Sequence, residues 1–584
     1  MMPTPSSVSL ITRVLVPGAI ALALGACSAP PPSETTARRP NIVLVMTDDQ
    51  GWAQLGMRGD PDLRTPHIDR LAAESVEFRR FYASPVCAPT RASLMTGRDA
   101  YRTGVTDTWL GRALMAPDEV TVAEALGDAG YRTGIFGKWH LGDSHPMRAQ
   151  DQGFQEVLVH RGGGIGQPSD PPGSDYTNPI LFHNGEQRQF DGYVTDVLFS
   201  EAMRFIDARE GQPFFAYIAT NAPHAPYLVP DTYHEPYAAL GLSDRDARIY
   251  GMITNIDDNM GRLVAFLDER GLRDDTVLVF MTDNGPTTER FTAGLRNRKG
   301  STYEGGIRVP FFLRWPGELS PRQVDTIAAH IDVMPTFLDA AGVALPPDTT
   351  IDGRSLLPLL RGETDVEWSA RTMHIQAHRG NAPQPLRNFA AITDRYKLVE
   401  GSGFATPLAA NHQPELFDIT VDPGEEHDLA ATLPEEVARL RRGYEAWLAD
   451  VSKTRGFDPL PIALGSAAEP TVTLTRQDWR PVGPDGWGEP HLGAWEVDVR
   501  TSGAYDIRVE LPLATAFESP ARVIGGRLDL RLGDTLVTRD MAPGSGHIEV
   551  EGVSWPAGRA TLDARVTTPD GREHGVWFIH VTKR

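Results

Sequence analysis

The feature that most constrains the fold is a set of short, almost wholly apolar runs separated by helical patterns. Asn41–Met46 is such a run, and a strand of this kind is typically buried on both faces. The other runs are Phe214–Ala219, Thr276–Met281 and the weaker candidate Ile307–Leu313. The helical patterns between them include Thr121–Ala129 and Thr254–Leu267. This alternation predicts an α/β fold with a mostly parallel central sheet flanked by helices.

Polar residues follow three of these runs, where the carboxyl ends of parallel strands form a common site. They are Asp48, Asp49, the segment Asn221–His224, Asp283 and Asn284. An Asp-Asp pair alone is common in a solvated turn. A second strand that ends in Asp-Asn-Gly favours a site for a hard cation, because Ca²⁺ and Mg²⁺ prefer such oxygen ligands.

The chain changes character twice after this region, and the sequence predicts three structural parts. Residues 40–365 are predicted to form the catalytic domain. Residues 366–458 are predicted to form a small α+β subdomain with a helix whose apolar face includes Leu440 and Tyr444. Alternating apolar and polar residues, as in Arg527–Leu532, predict a β-sandwich over residues 459–584.

The N-terminus has the pattern of a targeting segment. Arg13 precedes the apolar run Val14–Leu24, which is too short to span a bilayer as a helix. Leu24–Cys27 resembles the lipobox of bacterial lipoproteins, which implies a signal peptide over residues 1–26 and a lipid on Cys27. Residues 27–39 would be a tether, and Ser28 after the lipidated residue favours the outer membrane, facing the periplasm or the cell surface. The alternative is an ordinary signal peptide cleaved near Ala29.

Charge and cysteine content narrow the function further. The formal net charge of -21 argues against nucleic acid as a partner. A site for an anionic substrate must therefore be locally cationic. If Cys27 carries lipid, Cys87 is the one remaining thiol among the 2 cysteines, and the mature chain forms no internal disulfide.

The neighbours of Cys87 give it a specific role. The segment Ser84–Arg98 contains Cys87-Ala-Pro89-Thr-Arg91 and ends in Thr-Gly-Arg. It resembles the sulfatase signature C-x-P-x-R along its extended length. In that family the cysteine is oxidised to formylglycine by a maturation enzyme that recognises the proline and the arginine.

Further blocks resemble the same family in the expected order, over roughly residues 40–450. They are Gly130–Gly142, which contains Lys138 and His140, Asn221–Pro226, which contains His224, and Arg298–Pro310, which contains Lys299. The chain is thus identified as a member of the formylglycine-dependent, arylsulfatase-like sulfatases, which implies an alkaline phosphatase-like fold. The β-rich tail falls outside the general family pattern.

The resemblance also implies a mechanism. The aldehyde at position 87 is hydrated, and one of its hydroxyls attacks sulfur while His224 protonates the leaving alcohol. His140 then removes the proton of the other hydroxyl, and sulfate is expelled. Arg91 would hold the diol, and Lys138 and Lys299 would neutralise the sulfate oxygens. The implied metal ligands are Asp48, Asp49, Asp283, Asn284 and position 87, and the implied cation is Ca²⁺, with Mg²⁺ as second choice.

Other residues are given less weight. His67 is predicted to be structural, and four histidines in presumed loops could border the pocket: His145, His160, His183 and His234. The glycine-rich segment Arg161–Gln167 is interpreted as a flexible loop, because no strand leads through it into a matching helix as in nucleotide sites.

The sequence therefore predicts an exported sulfuric ester hydrolase. Its substrate is expected to be a sulfated carbohydrate, because a tethered hydrolase meets its substrate outside the cytoplasm. One alternative is a phosphonate or phosphodiester hydrolase on the same fold. Another is a non-catalytic glycan-binding lipoprotein, in which exposed aromatic residues of the sandwich stack on sugars: Trp479, Trp487 and Trp495.

Overall fold

The computed structural model describes residues 39–584 except 168, 364–367, 369, 405–407, 409–411, 482–491 and 512–524. The predicted signal peptide, Cys27 and Trp487 lie outside the described residues. Residues 39–584 form one compact unit, so the boundaries predicted at 365 and 458 stay predictions.

The main sheet is mixed, and its centre is parallel. The described residues place ten strands in it, in this order: Arg322–Val324, Val76–Phe78, Phe311–Arg314, Thr276–Thr282, Asn41–Thr47, Phe214–Ala219, Arg132–Lys138, Glu156–His160, Ile180–His183 and Glu186–Gln189. The five strands from Thr276–Thr282 to Glu156–His160 are mutually parallel. The predicted fold class is confirmed.

Helices cover both faces of this sheet. The helices are Pro66–Ala73, Cys87–Thr96, Ala100–Thr103, Val122–Asp128, Val194–Asp207, Asp231–Ala238, Asp244–Glu269, Glu304–Ile307, Val333–Ala340, Leu357–Arg361 and Pro434–Val451. Along the central strand, Ile42 and Leu44 pack into one apolar core and Val43 and Val45 into the other, all with 0% exposure. Burial on both faces explains why that strand is a continuous apolar run.

One prediction about strands needs correction. The run Ile307–Leu313 is interrupted at Pro310 and gives two strands, Arg308–Val309 and Phe311–Arg314, which belong to different sheets. The first pairs with Phe81–Tyr82 in a small sheet that Ala328–Ala329 completes. Proline lacks the N–H that a continuous ladder needs, so the chain changes sheets there.

The C-terminal half contains a small sheet and then a β-domain. The small sheet is antiparallel and consists of Met373–Gln376, Phe389–Ile392, Tyr396–Glu400 and Glu415–Asp418. The β-domain has two sheets that share one apolar core. One contains Ile462–Leu464, Arg480–Pro481, Gly493–Val499, Gly526–Leu532, Thr535–Met541, Gly558–Thr567 and Glu573–Gly575. The other contains Thr471–Thr475, Gly503–Glu510, His547–Trp555 and Phe578–Lys583.

The β-domain core extends into the catalytic body. Trp109, Leu110, Leu114 and Met147 belong to the same apolar cluster as the inner residues of the two sheets. The β-domain is therefore packed against the loops that border the carboxyl edge of the main sheet. Within the described residues, none of the helices combines the length and the apolar character that crossing a bilayer requires.

Candidate active site

The predicted metal ligands meet at the ends of two adjacent parallel strands. Thr47 is in register with Thr282, which brings the residues after each strand together. The backbone N–H of Asp49 donates to Asp283 Oδ1 at 3.2 Å, and Asn284 Nδ2 donates to Asp49 Oδ1 at 2.8 Å. Asp49 has a φ of 66°. This left-handed turn breaks the strand's alternation, so that successive carboxylates lie in the same buried site.

Cys87 is the first residue of the helix Cys87–Thr96, and its side chain points at these carboxylates. Its Sγ lies 3.5 Å from Asp48 Oδ1 and 3.4 Å from Lys299 Nζ. The unpaired N–H groups of a helix N-terminus favour negative charge at this point. Burial, together with Asp283 and Asp48, raises the pKa of the Cys87 thiol, which keeps an unmodified thiol neutral.

Three cations surround the carboxylates: Arg91 and Lys138 are buried, and Lys299 is half-buried. Arg91 lies one helical turn after Cys87 and donates to Asp283 Oδ2 at 2.7 Å and to the Lys138 carbonyl at 3.0 Å. Lys138 Nζ contacts Asp48 Oδ2, and Lys299 Nζ contacts Asp49 Oδ1, each at 2.5 Å.

These cations set the charge state of the carboxylates. Burial alone would raise the pKa of Asp48, but Lys138 and His224 lower it below its usual value. At Asp49, burial again raises the pKa, but Lys299 and His224 lower it, and the resulting pKa is below its usual value. Asp48 and Asp49 are therefore ionised and available as ligands.

The two predicted acid–base histidines have different partners. His224 Nε2 is 3.7 Å from Asp49 Oδ2, and its Nδ1 is 2.6 Å from the Ala225 carbonyl. Burial lowers the pKa of His224, against the effect of Asp49 and Asp48. His140 has a φ of 62°, and its Nε2 lies 2.8 Å from the Thr108 carbonyl. Burial and Lys138 hold the pKa of His140 well below its usual value.

The donor set fits a divalent cation. Ligand atoms of Asp48, Asp49, Cys87 and His224 lie within 4.8 Å of one another. Asn284 Oδ1 is buried and has no hydrogen-bond partner among the described residues, so this oxygen is available to a cation. Three carboxylates face three cationic side chains, and a divalent ion would make the site net positive, as an anionic ester requires. Carboxylate and amide oxygens suit Ca²⁺ or Mg²⁺.

The structure adds residues to the site that were not predicted. Gln477, in the β-domain, is 2% exposed and donates through Nε2 to the Thr108 carbonyl at 2.7 Å. The same Nε2 is 3.4 Å from His140 Nε2. The glycine-rich loop is close too, because a Cβ on Gly163 would lie 2.9 Å from that nitrogen. No local pattern in the sequence marks Gln477, which is more than three hundred residues from its partners.

The remaining histidines have structural partners. The N–H groups of His67 and Ile68 are capped by Asp257, which agrees with a structural role. The loop placement of three others is wrong, because His160 and His183 end strands and His234 lies in the helix Asp231–Ala238. The rings of all four histidines have partners within the protein: His145 pairs with Asp151, His160 with the Arg161 carbonyl, His183 with Glu156 and His234 with Asp244.

The tryptophans that were candidates for sugar stacking are core residues. Trp479 and Trp495 are both 0% exposed, and their rings pack against each other with centroids 5.6 Å apart. An alternating pattern shows which residues share a face of a sheet but not which face is covered. The prediction that these two stack on glycans is therefore wrong.

Comparisons with known proteins agree with this geometry. The family model described as "Sulfatase" matches residues 40–343, and the model described as "N-sulphoglucosamine sulphohydrolase, C-terminal" matches residues 297–448. Human arylsulfatase A is 31% identical over 482 residues, which cover 74% of this chain and 91% of that protein. Human N-acetylgalactosamine-6-sulfatase is 32% identical over 465 residues, which cover 72% of this chain and 85% of that protein.

A solved structure shows the same likeness. The crystal structure of Ps i-CgsB in complex with k-i-k-neocarrahexaose is 28% identical, with a TM-score of 0.64, and covers 72% of this chain and 95% of that chain. The two family models end before the β-domain, which starts beyond residue 448.

Proposed function

The chain belongs to the sulfatase family, and we propose that it hydrolyses a sulfate monoester of a carbohydrate with a nucleophile formed at Cys87. The observation that carries the proposal is the position of Cys87, with its Sγ between Asp48 and Lys299. This sulfur marks the place that a hydroxyl of a hydrated formylglycine would take. Sulfatases use a metal ion and formylglycine, and the residues present suit both.

The metal is proposed to be Ca²⁺. Asp48, Asp49, Asp283 and Asn284 would hold it, together with the oxygen at position 87. When bound, such an ion supplies positive charge that lowers the pKa of a coordinated hydroxyl and polarises the ester. Three carboxylates with two oxygens each, together with the amide oxygen of Asn284, suit the high coordination number of Ca²⁺ better than the strict octahedron of Mg²⁺.

The side chains around position 87 have distinct proposed roles. Arg91 fixes the site by bridging Asp283 and the Lys138 carbonyl. Lys138 and Lys299 neutralise the ester oxygens as the S–O bond breaks. His224 donates a proton to the leaving alcohol, and Asp49 and Asp48 favour the imidazolium form that this requires, against the effect of burial. His140 accepts a proton from a hydroxyl at position 87.

The proposed carbohydrate substrate is supported by the relatives. Human N-acetylgalactosamine-6-sulfatase is named for a sulfated amino sugar, and Ps i-CgsB was crystallised with k-i-k-neocarrahexaose. Both match over more than two thirds of this chain. A sulfated sugar unit is therefore the substrate class to test first.

Modification of Cys87 is proposed to precede folding. Cys87, Pro89 and Arg91 are all buried in the helix Cys87–Thr96, so a maturation enzyme cannot reach them in the folded chain. We further propose that the protein is exported and held in the outer membrane by a lipid on Cys27. Metabolic labelling with a palmitate analogue tests that anchor, and it should label the wild type but not Cys27→Ala.

The test of function is sulfate release. Wild-type protein, produced with a formylglycine-generating enzyme, should release sulfate from 4-methylumbelliferyl sulfate and from members of a panel of sulfated sugars. Cys87→Ala should release none, while its melting temperature stays near that of the wild type. If the aldehyde is present by peptide mass and no sulfate ester is cleaved, the proposed function is wrong.

A further inference from the structure

A cavity of about 370 Å³ lies between the catalytic body and the β-domain. The body contributes Arg161 and Phe182 to its wall, and the four-stranded sheet of the β-domain contributes Thr473, Glu510, Phe578 and His580. The family models end before this sheet. The cavity is therefore a feature that the β-domain adds to the catalytic body.

Arg161 is the cation of this cavity. Its guanidinium carbon lies 4.4 Å from the centre of the Phe182 ring, and no hydrogen bond or ion pair joins this guanidinium to another described residue. The carboxyls of Asp143, Asp478 and Glu469 interact with it at longer range. Burial raises the pKa of Asp143 to about 6, that of Asp478 well above its usual value and that of Glu469 above its usual value, which weakens their neutralisation of Arg161. A half-buried guanidinium that no described residue pairs by a hydrogen bond or salt bridge favours an anionic ligand.

The opposite wall suits a sugar ring. His580 is fixed between Thr473, with Oγ1 3.0 Å from Nδ1, and Glu510, with Oε1 3.5 Å from Nε2. The Phe578 and His580 rings are stacked, with an interplanar angle of 19°. The half-buried His580 ring, which the buried Phe578 supports from behind, and the Glu510 carboxylate match the apolar face and the hydroxyl edge of a pyranose.

The cavity adjoins the active site through the glycine-rich loop. A Cβ on Gly162 would lie 1.8 Å from Ser169 Oγ, on the cavity side, and 3.6 Å from Gln477 Cδ. A Cβ on Gly163 would lie 2.9 Å from His140 Nε2. One turn without side chains thus separates the cavity from the proposed catalytic base, so the two lie close enough for neighbouring units of one oligosaccharide.

We propose that this cavity is a subsite for a second, anionic sugar unit of the substrate, bound through Arg161. The inference rests on the proposed function and deepens it: the substrate is an oligosaccharide whose neighbouring unit carries a sulfate or a carboxylate. The unit that loses its sulfate lies at Cys87, and its neighbour lies against the β-domain.

The test compares substrates of different length. Arg161→Gln removes the cation, and Arg161→Lys keeps the charge but not the planar fork. Arg531→Gln is the matched control, since Arg531 is exposed on the other sheet of the β-domain. The probes are 4-methylumbelliferyl sulfate, which cannot fill the subsite, and oligosaccharides from carrageenan and from chondroitin sulfate, which differ in the anion of the neighbouring unit.

The expected result is a selective loss. Arg161→Gln should lower kcat/KM for the preferred oligosaccharide roughly 10- to 100-fold more than for the aryl sulfate, as removal of a charged hydrogen bond predicts. Arg161→Lys should give an intermediate loss, and Arg531→Gln should change neither substrate. The oligosaccharide whose kcat/KM falls in Arg161→Gln identifies the anion of the neighbouring unit as sulfate or carboxylate.

Other outcomes would refute the proposed subsite and leave the sulfatase assignment unchanged. Equal losses on both substrates would mean that Arg161 acts on the catalytic groups or on folding. Hydrolysis of the aryl sulfate without hydrolysis of any oligosaccharide would refute the extended substrate. If neither is hydrolysed, calorimetric titration of Cys87→Ala with the oligosaccharides decides, and the same affinity with and without Arg161→Gln would refute the subsite independently of catalysis.

Discussion

Gln477 provides a direct test of whether the β-domain takes part in catalysis. Its Nε2 donates to the Thr108 carbonyl at 2.7 Å, and His140 Nε2 lies 2.8 Å from the same oxygen. Because a carbonyl only accepts, His140 Nε2 carries the proton. The lone pair is then on Nδ1, which is buried and has no partner among the described residues. The tautomer required of a base is thus set by one carbonyl oxygen, which Gln477 holds in place.

The perturbation is Gln477→Met, which keeps the volume and removes the donor. A buried neutral hydrogen bond contributes about 1 kcal/mol. If that energy orients the Thr108 carbonyl and the imidazole, kcat should fall about 5-fold. KM should change little, because Gln477 is enclosed between the domains and has no access to the ester.

The matched control is Gln376→Met in the small sheet. Gln376 is also buried and donates through Nε2 to the Gln384 and Arg387 carbonyls at 2.9 and 3.1 Å. Both variants should lower the melting temperature, but only Gln477→Met should lower kcat. A kcat within twofold of the wild type for Gln477→Met, or equal losses in the two variants, would refute the positioning role.

Three further predictions concern metal, packing and pH. Removal of metal with EGTA should lower the melting temperature. Adding Ca²⁺ at a hundred times its Kd should restore about 2.7 kcal/mol of unfolding free energy. An unchanged melting temperature, or better recovery with Mg²⁺, would contradict the calcium site. Gly137→Ala should prevent folding, because its Cβ would lie 1.8 Å from the Ala219 carbonyl oxygen. The control Gly546→Ala should fold, because its Cβ would have no atom within 4 Å. A soluble, active Gly137→Ala variant would show that the strand Arg132–Lys138 can shift. Burial raises the pKa of Asp170 from 3.8 to about 7, so the folded state keeps a proton that the unfolded state loses and stability falls as pH rises from about 4 to 7. Asp170→Asn should remove up to about 4 kcal/mol of that decline, seen as a flatter plot of melting temperature against pH; an unchanged slope would mean that Asp170 ionises normally.

The parts of the fold that were predicted from sequence are those in which local pattern and burial agree. Asn41–Thr47 and Thr276–Thr282 are buried along their whole length, so each gives an apolar run and each ends in ligands. Arg132–Lys138 lies in the same sheet but was not predicted as a strand. Gly134 and Gly137 interrupt its apolar run, and the second is required by contact with the neighbouring strand.

The candidate site was predicted in its centre and missed at its edge. The carboxylates, Cys87 and the cations follow strand ends or lie in compact blocks, so short segments of sequence identify them. The Thr108 carbonyl, which is the partner of His140, also accepts a hydrogen bond from Gln477, and the position of Gln477 depends on how the β-domain packs. Packing of one sheet on distant loops leaves no periodic pattern near the residue that makes the contact, and only the folded structure shows it.

The packing of the β-domain also bears on selectivity. The groups around Cys87 act on the sulfate itself, which is the same in every sulfate ester, so they cannot distinguish one sugar from another. Discrimination must come from residues that touch the rest of the substrate. The β-domain is held against the rim by Trp109, Leu110 and Leu114, which share its apolar core. Burying three large apolar side chains contributes roughly 1.5–3 kcal/mol each, enough to fix the domain beside the site. A wall fixed in this way keeps Arg161 and Glu510 at a constant separation, which is the condition for recognising a sugar unit of defined size and charge.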